Sequence, residues 1–347
     1  MTRFRTAALA VSSLVTLAAA IPASAEDSIA FASWGGLYQD AERKAFLEPT
    51  AKELGIKIND FTEQEGLADI RTQVKAGAIQ WDIAEFYGGQ CQQAADEGLL
   101  EPLDYNVINT DGIPKDLVQP YWVGITAYGS VLAWNKEKYK DNPPKSWADF
   151  FDTKKFPGTR ALSGYGGTVN LEVALMADGV DKDKLYPLDL DRAFKKLAEI
   201  KPDIDVWWAS GAQQTQLVQN QEADMLQIWV SRLDGPIKEG APYAYTYNQG
   251  VIDIECLVVP KGTAKKELAM KVINNFLKPE IQANLPQYIP YAPVNQKAYD
   301  TGKITPEMIK ESITAPDNLK QQVVLDKAWW AANGQKVQER WDAFMQQ

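Results

Sequence analysis

SIAFASWGGLYQDAERKAFLEPTAKELGIKI, residues 28–58, shows the order of elements from which this chain is built. Ser28–Ala32 has the short apolar pattern of a buried strand and runs into Trp34-Gly35-Gly36. From Tyr38 to Leu54 the apolar residues recur at helical spacing, and Gly55 is placed to end that helix. The two isoleucines that follow begin another strand. A strand, a helix and a strand in this succession predict a parallel β-sheet covered by helices.

The same alternation continues along the chain. In the first half it predicts helices at Ala68–Ala76 and Gln90–Glu97 and strands at Asp82–Phe86 and Tyr128–Trp134. After a break at Pro143-Pro144 it predicts helices at Ser146–Phe151, Asn170–Met176, Asp191–Glu199, Thr215–Gln219, Lys265–Leu277 and Trp329–Met345, and strands at Arg160–Leu162, Met225–Trp229 and Val251–Val259. At about 100–200 residues per domain, a chain of 347 residues predicts two domains. The alternation of strands and helices predicts that both are α/β domains with a parallel, doubly wound sheet.

The N-terminus carries the pattern of a cleaved secretory signal peptide. Arg3 and Arg5 precede the apolar run Ala7–Ala20, and Ala23-Ser24-Ala25 provides an A-x-A cleavage site. The run is shorter than the roughly 20 apolar residues that span a bilayer. We therefore expect residues 1–25 to be removed after Ala25 and the mature protein to be periplasmic, without membrane insertion. No cysteine follows the cleavage site, so a lipid anchor is not expected.

Composition narrows the class of function. The formal net charge is −10, and loss of the two signal-peptide arginines would make it −12. Such a chain repels nucleic acid and anionic lipid, and it has no dense basic run to overcome the repulsion. Its lack of histidine removes Ser-His-Asp and Cys-His catalysis and the commonest zinc ligand. We expect no cofactor, no metal and no nucleic-acid partner, and binding rather than catalysis.

Cys91 and Cys256 leave two alternatives open. In an oxidising compartment they would form one disulfide that closes a long loop. Two buried free thiols fit the sequence equally well, because the geometry of the pair cannot be derived from sequence.

Six motifs, in order, carry a resemblance to a known family. They are Ser33-Trp34-Gly35-Gly36, WDIAEFYGG (81–89), EGLLEPLD (97–104), SWADFFDTKKFPG (146–158), VVPKGT (258–263) and IPYAPVN (289–295). Over essentially the whole mature chain this series resembles the periplasmic solute-binding proteins of the polyamine-binding cluster.

The resemblance implies a two-lobed periplasmic binding protein fold of type II, with a ligand cleft between lobes joined by crossing hinge strands. Lobe 1 would contain residues 26–130 and about 255–298, and lobe 2 residues 131–254 and about 299–347. The implied partners are a small amine-bearing ligand, such as putrescine, spermidine or γ-aminobutyrate, and the membrane permease of an ABC importer. The binding protein itself is expected to be a monomer.

Family positions also imply ligand contacts for Trp34, Tyr87, Trp229 and Glu255. Aromatic faces attract alkylammonium groups, and a carboxylate adds a charge-assisted hydrogen bond. For a tryptophan in a strand, burial in the core is the alternative. Trp34 stands beside glycines at a strand end, where ligands bind in parallel sheets.

The chain departs from the polyamine pattern at Asp253, where polyamine binders usually carry an aromatic residue. Asp253 and Glu255 alternate along one strand and so face the same side. Two buried acids need a cation, which is either a ligand or a protein group such as Arg232. If Arg232 instead reaches the cleft, it would hold a ligand carboxylate, and the ligand would be an ω-amino acid such as γ-aminobutyrate.

Two polar stretches also have two interpretations each. The glycine-rich residues 163–168 either turn the chain or present backbone amides to an anionic group. Ser210 and Gln213 either cap a helix or bind ligand through hydrogen bonds.

The sequence disfavours two rival functions. A binder of iron or an anion is disfavoured because there is no Tyr-Tyr pair, and Tyr243, Tyr245 and Tyr247 alternate as on a strand face. An exported hydrolase could use Asp253 and Glu255 as paired carboxylates, but no other residue supports it.

Overall fold

The computed structural model describes residues 27–63, 66–166 and 169–347. The predicted signal peptide, residues 1–25, lies outside the described residues, as do Gly167 and Thr168 of the glycine-rich stretch.

Strands and helices alternate as the sequence predicts. The strands are β1 (Ser28–Ser33), β2 (Lys57–Thr62), β3 (Ile83–Tyr87), β4 (Trp122–Asn135), β5 (Arg160–Ser163), β6 (Val206–Trp208), β7 (Met225–Trp229), β8 (Tyr243–Val258), β9 (Ala292–Pro293) and β10 (Val323–Val324). The α-helices are α1 (Gly36–Glu42), α2 (Glu48–Leu54), α3 (Leu67–Ala76), α4 (Gly88–Asp96), α5 (Trp147–Phe151), α6 (Asn170–Ala177), α7 (Leu190–Ile200), α8 (Gly211–Gln219), α9 (Val230–Lys238), α10 (Lys266–Phe276), α11 (Pro279–Gln282), α12 (Pro306–Glu311), α13 (Pro316–Leu319) and α14 (Lys327–Gln346).

Short helices of other types complete the chain. A π-helix at Arg43–Leu47 joins α1 to α2, and 3₁₀ helices lie at Lys115–Leu117, Lys182–Lys184, Lys201–Asp203, Leu285–Gln287 and Gln296–Thr301. The helix predicted over Tyr38–Leu54 is therefore one continuous run with a π turn in its middle. It ends at Gly55, whose left-handed conformation (φ 65°) confirms the predicted C-cap.

The sheet has the strand order β2-β1-β3-β8-β4-β7-β5-β6, with β10 added to β8 and β9 added to β4. β1 is parallel to β2 and β3, and β5 is parallel to β6 and β7. The central pair differs: β8 is antiparallel to β3 and to β4, and β4 is antiparallel to β7. The prediction of a parallel sheet is wrong at this centre. Here β4 and β8 pass through both halves of the sheet, and the two strands run antiparallel to each other.

The two halves of the sheet have their own apolar cores. In the first, Phe31 of β1 meets Phe276 of α10 edge to face, with ring centroids 5.6 Å apart. In the second, Trp207 of β6 meets Trp341 of α14 in the same way at 5.7 Å. Each core lies between the sheet and its helices, so the sheet halves form two lobes that share β4 and β8.

Both shared strands are longer than the sequence predicts. β8 begins at Tyr243 rather than Val251, and β4 begins at Trp122 rather than Tyr128. The prediction followed continuous apolar residues, whereas the first part of β8 is a half-buried surface with alternating tyrosines. Pairing with β4 extends it, from Asn135 opposite Tyr243 onwards.

Cys91 of α4 and Cys256 of β8 form a disulfide, with their Cα atoms 6.5 Å apart. This decides between the two alternatives left open by the sequence. The bond joins α4 to the shared strand directly after Glu255.

Within the described ranges, the helices are all too short or too polar to cross a bilayer.

Candidate functional site

The shared strands bring the ends of several other strands to one place. In the sheet register Tyr87, at the end of β3, lies opposite Glu255, and Tyr128 of β4 lies opposite Asp253. Trp34 directly follows β1, and Trp229 ends β7. Five of the residues that the sequence assigns to a ligand cleft therefore lie on or beside the shared strands: Trp34, Tyr87, Trp229, Asp253 and Glu255.

Aromatic rings form the walls of this site. Trp34 and Tyr87 stack with ring centroids 5.8 Å apart and an interplanar angle of 16°. Facing them, Trp229 lies edge to face with Tyr128 at 6.4 Å and with Trp208 at 5.3 Å. Trp34 and Trp229 are both only partly buried, so part of each residue remains accessible.

The two acids predicted to face one side are both at the site and almost fully buried, Asp253 at 6% and Glu255 at 5% exposure. The Trp34 indole donates to Glu255 Oε2 at 3.1 Å, and the Tyr128 hydroxyl donates to Asp253 Oδ2 at 3.1 Å. Burial raises the pKa of both carboxyls, and for Glu255 the charges of Glu85 and Asp253 raise the pKa further. Such a pair is prepared to accept hydrogen bonds from a cation.

Below the pair lies a second layer of acids that sequence reasoning missed. The Tyr38 hydroxyl donates to Glu85 of β3 at 2.6 Å, and the single proton of the Ser33 hydroxyl is shared between Glu85, at 2.9 Å, and the buried Glu42. In the part of the chain that the structure describes, no lysine or arginine forms an ion pair with Glu42, Glu85 or Glu255. The glutamate within the apolar strand IAEFY was the sequence signal for this layer.

Arg232 of α9 does not pair with the two acids. Among the described residues no carboxylate lies within ion-pair distance of its guanidinium, and its buried Nε has no hydrogen-bond partner. The side chain lies against Gly211, where any Cβ would clash with it. The structural ion pair considered from the sequence is therefore wrong, and this guanidinium is available to another anion.

Tyr291 closes the side of the site near Arg232 and was also missed. It stacks with Tyr128 at 5.9 Å and lies 4.7 Å from Tyr38, measured between ring centroids. Burial raises the pKa of Tyr291, and the charge of Glu255 raises it further while that of Arg232 opposes the rise. The tyrosine is therefore under the influence of both an acid of the site and the guanidinium.

Ser210 and Gln213 serve the local backbone. Ser210 Oγ accepts from the Gln213 amide at 3.1 Å and caps α8, while Gln213 Oε1 accepts from the Ala209 amide at 2.8 Å. The neighbouring Gln214, unlike Ser210 and Gln213, is buried, and its Oε1 accepts from the Trp229 amide at 2.9 Å. The capping interpretation is observed, and ligand contact by Ser210 and Gln213 stays a prediction.

The described part of the glycine-rich stretch forms a turn held by internal hydrogen bonds. The Gly164 amide donates to the Trp208 carbonyl at 2.8 Å, and the Tyr165 amide donates to Ser163 Oγ at 3.2 Å. These two amides are therefore already occupied within the protein.

Glu63, which directly follows β2, gives the site a pH-dependent stability. It is 5% exposed, neither carboxyl oxygen has a partner among the described residues, and burial raises its pKa to about 9. Between the ordinary value of 4.5 and about 9, the folded protein holds a proton that the unfolded chain has released, so stability is lost as pH rises through this window.

Between roughly pH 5.5 and 8 the free energy of unfolding of the wild type should fall as Glu63 titrates. In Glu63→Gln this fall should be smaller by about 2–3 kcal/mol. Urea unfolding at both pH values measures this, with Glu48→Gln in the exposed start of α2 as control. An equal loss in wild type and Glu63→Gln would contradict the assignment.

Two lobes sharing long strands, with an aromatic and acidic site at the crossing, define a protein that holds a small solute between its lobes. The family model of the bacterial extracellular solute-binding proteins matches residues 44–316.

Several known proteins are similar to this chain over most of its length. A γ-aminobutyric acid-binding protein of Pseudomonas aeruginosa is 32% identical, covering 96% of this chain and 95% of its own. A solved ABC transporter substrate-binding protein from Bradyrhizobium japonicum is 44% identical with a TM-score of 0.89, covering 92% of this chain and 100% of its own. The solved Atu4243 GABA receptor is 37% identical with a TM-score of 0.85, covering 92% and 97%. A spermidine/putrescine-binding periplasmic protein of Escherichia coli is 22% identical over 78% of this chain and 79% of its own.

The chain belongs to the bacterial extracellular solute-binding protein family. It has the two-lobed fold of these proteins and is a solute-binding protein of ABC transport, which confirms the predicted fold class and the predicted family.

Proposed function

We propose that the protein captures a short ω-amino acid of the γ-aminobutyrate type. Its ammonium group would bind Asp253 and Glu255 between the aromatic walls, and its carboxylate would bind Arg232. The observation that carries this proposal is the guanidinium of Arg232, which has no carboxylate partner among the described residues and whose charge acts on Tyr291, the ring stacked on Tyr128 of the site.

Charge complementarity favours this ligand over a diamine. A diamine has an ammonium group at each end, so one of them would lie close to the unpaired Arg232. Like charges at short distance disfavour binding. A bidentate pair between guanidinium and carboxylate would instead satisfy the buried Nε. The name of the Pseudomonas aeruginosa relative and that of the Atu4243 receptor support the same ligand.

The remaining parts of the proposal concern the protein as a whole. We propose cleavage after Ala25, a monomeric periplasmic protein without enzymatic activity, and delivery of the ligand to an ABC permease. The lobes would be residues 26–130 with about 255–298, and residues 131–254 with about 299–347. The shared strands β4 and β8 would act as the hinge, so that a ligand touching both lobes favours the closed state.

Replacing Arg232 by glutamine should weaken γ-aminobutyrate binding by about 30-fold, because a charge-assisted bidentate contact is lost. Putrescine has no carboxylate, so its weaker binding should stay the same or improve. Isothermal titration of refolded, ligand-stripped protein with both compounds measures the change. As control, Arg192→Gln removes a partly exposed arginine of α7 that pairs with Asp178.

The ligand class itself is tested by thermal unfolding against γ-aminobutyrate, putrescine, spermidine, choline, ordinary amino acids and ferric iron. A ligand at about a hundred times its Kd should add about 2.7 kcal/mol of stability. Stabilisation by diamines but not by γ-aminobutyrate would contradict the role of Arg232, and stabilisation by iron alone would favour a metal solute. Turnover of glycosides would favour the hydrolase alternative.

A further inference from the structure

The cleft extends beyond the proposed γ-aminobutyrate site into a chamber of about 240 Å³. We call it the α14 chamber, because one wall is formed by α14, with Lys327, Trp330 and Gln338. The opposite wall contains Tyr87 and Gln90, and Asp253 lies at the boundary with the ligand site. Of the ligand contacts proposed above, only Tyr87 and Asp253 also line this chamber.

The sheet places the α14 chamber and Arg232 on opposite flanks of the acidic pair. β10, which leads into α14 and Lys327, pairs with β8, whereas β7, which leads into α9 and Arg232, pairs with β4. The order across the hinge is therefore β10, β8, β4, β7, which is about 14 Å at the usual strand spacing. A ligand with its ammonium on β8 and its carboxylate at Arg232 occupies only the β7 flank.

The α14 chamber contains polar atoms that have no direct hydrogen-bond or ion-pair partner among the described residues, although the charge of Lys327 opposes the rise that burial causes in the pKa of Asp253. Among the described residues no carboxylate lies within 4 Å of the Lys327 ammonium, and the stem of this lysine is held against Gly88. Gln90 Oε1 is buried without a hydrogen-bond partner. The neighbouring Trp330 is fixed by donating to Glu172 at 2.8 Å, so it forms a wall rather than a contact point.

We propose that the α14 chamber holds a second, anionic arm on the ligand nitrogen, so that the preferred ligand is an N-substituted ω-amino acid. This rests on the proposed function, because the ammonium and the first carboxylate keep the contacts given above. A secondary ammonium has two N–H donors, which matches the two carboxylates of Asp253 and Glu255. Its first arm reaches Arg232 and its second arm reaches Lys327.

The test is isothermal titration of ligand-stripped protein with three compounds: γ-aminobutyrate, N-carboxymethyl-γ-aminobutyrate and N-propyl-γ-aminobutyrate. We expect the carboxymethyl compound to bind about tenfold more tightly than γ-aminobutyrate, and the propyl compound to bind no better than γ-aminobutyrate. Lys327→Met keeps the apolar stem and should remove that tenfold gain while γ-aminobutyrate binding stays within about threefold. Lys336→Met, on the exposed side of the same helix, is the matched control.

Three outcomes would overturn the proposal: weaker binding of the carboxymethyl compound than of γ-aminobutyrate, equal gains from the propyl arm, or an unchanged gain in Lys327→Met. Each of these leaves γ-aminobutyrate binding intact, so the proposed function would stand. Failure of all three compounds to bind would instead reject the proposed function together with this extension.

Discussion

Replacing Glu255 by glutamine should weaken binding of an ammonium ligand by about 100-fold, because a buried charge that pairs with the ligand is removed. The shape of the side chain and its acceptor oxygen for the Trp34 indole are kept, so the loss reports charge. Titration calorimetry with γ-aminobutyrate measures the change. Glu101→Gln, which removes a partly exposed acid paired with Lys266, controls for net charge and should leave affinity unchanged.

The same variant should make the ligand-free protein more stable. Burial together with the charges of Glu85 and Asp253 raises the pKa of Glu255 well above its ordinary value, so at neutral pH this group costs stability in the folded state. A neutral amide removes that cost. Lower affinity combined with an unchanged or higher Tm would support a ligand-binding acid, whereas lower affinity with a lower Tm would indicate a structural role.

Removing the disulfide should have the largest effect on stability. Cys91 and Cys256 are 165 positions apart, and a cross-link over such a loop stabilises by about 3–5 kcal/mol through the unfolded state. We expect the double variant Cys91→Ala and Cys256→Ala to lose this amount in urea unfolding. The loss of packing contacts should add little to this effect, because alanine, like cysteine, is a small apolar residue.

Wild type treated with a reductant provides the control for that experiment. Reduced wild type and the double variant should have similar free energies of unfolding, and the double variant should not respond to the reductant. A reductant effect below about 1 kcal/mol in wild type would show that the cross-link contributes little.

The resemblance to the family implied Trp34, Tyr87, Trp229 and Glu255 as ligand contacts, and the positions of the three aromatic residues at strand ends explain why the structure brings them together. Trp34 and Tyr87 stand at the ends of the parallel strands β1 and β3, and Trp229 ends β7, which runs in the opposite direction, so these ends face each other across the shared strands. The alternation of Asp253 and Glu255 likewise placed both acids on one face. Mostly apolar runs, such as β7 and α6, were predicted to within a residue or two.

The residues that were missed come together only through long-range pairing. Tyr291 reaches the site because β9 pairs with β4, and Lys327 does so because β10 pairs with β8. Both strands are two residues long, which is too short for any periodic signal. The absence of a partner for Arg232 depends on the direction of a side chain, which sequence spacing does not determine.

The shared strands also determine the order in which the chain can fold. Lobe 1 begins with β1, β2 and β3, but the inner neighbour of β3 is β8, which is synthesised only after β5, β6 and β7 of the other lobe. Contacts so distant in sequence slow folding, because a long loop must close before they contribute. During synthesis from the N-terminus, the first lobe therefore stays incomplete until the last third of the chain is available.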